Sequence, residues 1–97
     1  MAITLNKYAI QCEQMAIDSG KITVLSSARV HVYDISRSWR NLVDADKSPS
    51  ETLPGWSERE KEAADVIKAA LTYLQRIGCK NIEQLLKENL SINEPID

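Results

Sequence analysis

The 97 residues carry 12 basic and 14 acidic side chains, a formal charge of −2, which gives no general attraction to nucleic acid or to an anionic membrane surface. That length suits one domain with a thin core, and a hydrophobic content of 43% excludes a disordered tail. Three Gly, three Pro and no Phe predict long elements joined by few loops.

The first predicted element is a helix from Leu5 to Asp18, because Leu5, Tyr8, Ala9, Cys12, Met15 and Ala16 recur at helical spacing. Gly20 suits the left-handed residue that closes such a helix. Residues 21–25 read as a short, partly extended connection. Ser26 or Ser27 is placed to cap a second helix. Its apolar stripe, Ala28, Val32, Ile35, Trp39, Leu42 and Val43, is heptad-like and predicts packing along the helix's length. Residues 44–56 are the clear loop, since Pro49 and Pro54 stop helices and Ser, Thr and Asp compete for backbone hydrogen bonds. Ser57 and Glu60 form a capping box that opens a third helix, running to about Ile77 with Gly78 just beyond. Its apolar residues cover roughly half its circumference, which predicts a central helix touching more than one neighbour. A short last helix bears Ile82, Leu85, Leu86 and Leu90, with Asn81 and Gln84 as candidate caps. The tail, residues 91–97, is expected to fray.

The expectation is therefore a single all-α domain of about four helices spanning residues 1–97. Its predicted core joins the second and third helices through Ile35, Trp39, Val66, Ile67, Ala70 and Leu74. So wide an apolar arc on the third helix predicts a patch that one copy does not cover, hence a symmetric homodimer. Cys12 and Cys79 are too few and too far apart for a disulfide framework or a zinc site, and read as small buried hydrophobes in a reducing cytoplasm. The first twenty residues lack the apolar run of a signal peptide, and no stretch approaches the roughly eighteen apolar residues of a membrane span.

Few residues are candidates for chemistry. Glu62 and Asp65 stand three apart, leave the same side of the third helix and border its apolar arc. Two carboxylates at such an edge can hold a hard cation such as Mg2+, although this spacing is more often simply solvated. His31 lies three before Asp34 and reads as a local hydrogen bond rather than a base. Trp56, after Pro54 and Gly55, reads as a hydrophobic staple, with stacking on a ligand's base as the alternative. Arg29, Arg37 and Arg40 on one helix do not make a nucleic-acid surface in an acidic chain without a second basic element.

The run Glu62-Ala63-Ala64-Asp65-Val66-Ile67, followed by Ala69-Ala70-Leu71-Thr72-Tyr73-Leu74 and Gly78, resembles the second metal motif of MazG-like nucleotide pyrophosphohydrolases. The upstream helices, a Trp near the end of the second, and the Pro54-Gly55 loop are similar as well, so the resemblance covers about residues 4 to 90. It implies an all-α, dimeric bundle that cleaves nucleoside triphosphates between the α and β phosphates with Mg2+. The family's first metal motif, E-E-x-x-E, falls on Tyr33-Asp34-Ile35-Ser36-Arg37 when aligned by Trp39. By that resemblance Asp34, Glu62 and Asp65 are metal ligands, and Arg37 stands where the fourth acid belongs. A guanidinium is always protonated and cannot ligate a metal. Two outcomes follow. Arg37 lies against Glu62 and Asp65, and the chain is a non-catalytic nucleotide-binding or protein-interaction module. Otherwise Arg37 turns to solvent or to a substrate phosphate, and three acids still hold Mg2+.

Overall fold

The computed structural model describes residues 4–20 and 28–92, and these form four helices: α1 (Leu5–Asp18), α2 (Ala28–Asp44), α3 (Glu58–Arg76) and α4 (Ile82–Ile92). Among the described residues there is no strand, and a lone antiparallel bridge joins Pro49 to Ser57. No described helix is long and apolar enough to cross a membrane. The expected connection at 21–25 and the Ser26 and Ser27 caps lie outside the described residues. So does the end of the predicted tail, although α4 continues through Ser91 and Ile92 rather than fraying there.

Each boundary has a local cause. The Thr4 hydroxyl accepts from the Lys7 amide at 3.3 Å and opens α1. At its far end Gly20 adopts φ +78°, as its position after the helix predicts. The α3 capping box is complete: the Glu60 amide donates to Ser57 Oγ and the Ser57 amide donates to Glu60 Oε1, both at 3.2 Å. The preceding loop adds to it, because the Glu58 amide donates to the Ser48 carbonyl at 2.7 Å and the Arg59 amide to the Asp46 carbonyl at 3.2 Å. Helix α3 ends in a Schellman turn, with the Cys79 amide on the Leu74 carbonyl at 3.0 Å and the Gly78 amide on the Gln75 carbonyl at 3.2 Å.

The buried core sits where α1, α3 and α4 meet. Ala9, Leu71 and Ile82 are its fully buried apolar residues, with Cys12, Leu74 and Cys79 packed against them. Asn6 ties α1 to α4: its Oδ1 accepts the Ile82 amide at 2.7 Å and its Nδ2 donates to Asn81 Oδ1 at 3.2 Å. Helix α3 is central as expected, packing against α2 on one side and α1 on another.

The predicted core between α2 and α3 needs correction at two positions. Ile35, Val66, Ala70 and Leu74 are half-buried, but Trp39 is 59% exposed and Ile67 57% exposed. The heptad spacing of α2 places an apolar stripe correctly yet does not say which element covers it. At 3.6 residues per turn, Val32, Trp39 and Val43 face away from the edge of α2 that bears Asp34, Ser38 and Asn41. Ala63, Ile67, Ala70 and Ile77 take the matching side of α3. Val32, Val43 and Ile77 are exposed as well, whereas Ala63 and Ala70 are half-buried.

A cavity of mixed charge beside the acids

Helices α1, α2 and α3 enclose an open cavity of about 370 Å³. Helix α2 contributes His31, Asp34, Arg37, Ser38 and Asn41, and α3 contributes Asp65, Lys68, Ala69 and Thr72. Cys12 of α1 and Ser19, just after that helix, line it as well. The cavity thus gathers four of the residues weighed in the sequence: His31, Asp34, Arg37 and Asp65. Glu62 lies one turn before Asp65, buried, and is not in the lining.

Each acid already faces a cation on its own helix. Arg37 Nη2 pairs with Asp34 Oδ1 at 3.0 Å, one turn away. Lys61 Nζ bridges two acids, reaching Asp65 Oδ2 at 2.9 Å and Glu62 Oε1 at 3.3 Å. Lys68 Nζ approaches Asp65 Oδ1 at 3.8 Å. The hydrogen bond to Asp65 is the main cause that raises the Lys61 pKa; desolvation opposes it, and the bond to Glu62 and the two carboxylate charges add to the rise, so the ammonium is held charged. Glu62 Oε2 is buried without a hydrogen-bond partner. The expected pairing of Arg37 with Glu62 and Asp65 does not form: its side chain is 72% exposed and folds onto Asp34. Among the described residues no three His, Cys, Asp or Glu side chains come together as a group that would hold a metal ion.

His31 was underrated by sequence reasoning. It is only 1% exposed, and its Nε2 has no hydrogen-bond partner, so the local bond expected with Asp34 is not made through that atom. Burial pushes its pKa down, and the Arg76 charge acts in the same direction; Asp34 and Glu13 oppose them. The imidazole therefore stays neutral at pH 7. A polar residue on the α2 edge one turn before Asp34 was the available signal, but nothing in the spacing says that it is buried. Burial raises the pKa of the Cys12 thiol, outweighing Lys68 and the hydrogen bond with Thr72, which disfavours the thiolate.

Trp56 lies outside this cavity and is 54% exposed. It makes no staple, because the residue one turn into α3, where an apolar partner would stand, is Lys61. Its backbone instead closes the loop, donating to the Leu53 carbonyl at 3.3 Å and accepting from the Ser50 amide at 2.8 Å. No protein-family model, curated protein or solved structure matches the chain.

Proposed function

We propose that this chain is a non-catalytic, cytoplasmic helical module of the MazG-like type, which associates with a second copy of itself and does not hydrolyse nucleoside triphosphates. One observation carries the reading: Asp34, Glu62 and Asp65, the acids that would hold Mg2+, are each already paired with a cation of their own helix. Magnesium takes near-octahedral oxygen ligands and sheds its water reluctantly. To bind here it would have to displace the Lys61 ammonium from two carboxylates at once. Arg37, at the position of the fourth acid, adds positive charge where the resemblance calls for negative. The residues present therefore do not fit the ion, and no hydrolytic step is assigned to them.

Self-association is supported by the exposed apolar residues Val32, Trp39 and Val43 of α2 and Ile67 of α3. Val32, Trp39 and Val43 have the seven- and four-residue spacing that a partner helix needs, and a second α2–α3 pair supplies it with two-fold symmetry. The catalytic part of the proposal is tested by pyrophosphate release from a panel of nucleoside triphosphates with millimolar Mg2+ or Mn2+. Release no faster than in a protein-free control is expected. Turnover that disappears in Glu62→Gln would overturn it.

A further inference from the structure

We propose that the second copy docks in one orientation, antiparallel, with the two α2 helices paired about a two-fold axis at the level of Arg37 and held in register by Arg29 on the partner's Asp44. The inference rests on the self-association proposed above and adds the orientation and the residues that fix it.

Two rows of exposed side chains on α2 are complementary to themselves when one copy is reversed. The first is Val32, Ser36, Trp39 and Val43, at intervals of four, three and four residues. Those intervals read the same in both directions. An antiparallel copy therefore sets Val32 against the partner's Val43, and Trp39 against the partner's Ser36, the bulkiest side chain of the row over the smallest. The second row runs beside the first: Arg29, Tyr33, Arg40 and Asp44, at intervals of four, seven and four. It is symmetric too, and reversal makes its members attract. Arg29 meets the partner's Asp44, and the Arg40 guanidinium meets the face of the partner's Tyr33, which is 65% exposed in the single chain. The two-fold axis makes each contact twice. The centres of the two rows differ by one residue, about 1.5 Å along the helix, which long side chains absorb. These charges are available for a partner: among the described residues no ion pair engages Arg29, Arg40 or Asp44. A parallel pair has neither kind of match. It would bring Arg29 toward the partner's Arg29, stack Trp39 on Trp39, and leave Ser36 facing Ser36 across a gap.

The test is sedimentation equilibrium of the full chain at low salt, on the wild type, on Arg29→Glu, on Asp44→Arg, and on a one-to-one mixture of the two variants. Both positions are exposed, and both changes suit the helix dipole, an acid in the first turn of α2 and a base in its last, so the fold is kept. Circular dichroism checks that it is. Either variant alone puts like charges together twice in each dimer and should associate at least about fivefold more weakly than the wild type. In the mixture every reversed charge faces an opposite one, so the two variants should form a heterodimer with the affinity of the wild type. A mixture no tighter than the separate variants would overturn the antiparallel register while self-association stands. So would Arg29→Glu dimerising as tightly as the wild type, the result that a parallel pair relieved of its Arg29 repulsion would give. A wild type that is monomeric at high micromolar concentration would overturn self-association and the register with it.

Discussion

Lys61 does more at the acid cluster than any other side chain, because it compensates Asp65 and the buried Glu62 together. Lys61→Met should leave Glu62 buried without its cation and cost about 1–3 kcal/mol, less than a fully buried pair because the site is partly wet. Arg37→Glu should cost under about 1 kcal/mol, since the Arg37–Asp34 pair is solvent-screened. Urea denaturation of both variants checks the order, and a larger loss for Arg37→Glu would contradict it. His31 sets a pH dependence of definite sign. Its folded pKa lies below the ordinary 6.5, so over the interval between the two the unfolded chain holds more protons. The stability contribution is complete above about 6.5 and is lost as pH falls toward the folded value. Melting temperature followed from pH 7.5 to 5 should therefore drop further for the wild type than for His31→Gln, and parallel curves would contradict this. These pairings stand at spacings the sequence displays, but the resemblance turned attention to Arg37 instead. The E-x-x-D spacing put two acids on one side of α3, but Lys61 and Lys68 lie within a turn of Asp65 on the same side, and proximity along a helix favours them over a distant Arg37.

At the level of elements, the sequence was most informative where chain chemistry acts locally. The Ser57–Glu60 box and the glycines after α1 and α3 stand where their backbone roles require, since caps and left-handed residues are fixed by neighbours a few positions away. Docking depends on longer-range contacts. Asn6, which gave no signal in the sequence beyond its place near a helix start, holds the first turn of α4 through Ile82 and Asn81. Asn6→Ala should remove those bonds, cost about 1–2 kcal/mol and release α4 before the rest of the fold. Hydrogen exchange reads this directly: the Ile82 and Leu85 amides should lose protection while those in the middle of α3 keep it. Uniform loss across all helices would mean that α4 does not open separately.

For the whole molecule, the length of α3 and its wide apolar arc foretold a central helix with more apolar surface than one copy covers. They did not reveal that the small core would gather at α1, α3 and α4, leaving Trp39 and Ile67 outside it. A periodic stripe looks the same whether its partner comes from the same chain or from another. Sedimentation should show a dimer at tens of micromolar, and Trp39→Glu should be a monomer of unchanged helical content, because Trp39 lies outside the single-chain core. A wild type that stays monomeric at high micromolar concentration would contradict that assembly. The central claim is narrower: the acids of the E-x-x-D helix and Asp34 are neutralised by the chain's own cations and hold no metal. Its most direct measurement is a Mg2+ titration to about 10 mM, well above the level at which an all-carboxylate site saturates, followed at the backbone amides of Asp34, Glu62 and Asp65. The account predicts that these resonances stay fixed while Lys61→Met begins to respond. Saturable movement of all three in the wild type would show that the acids converge on a cation, and would contradict it.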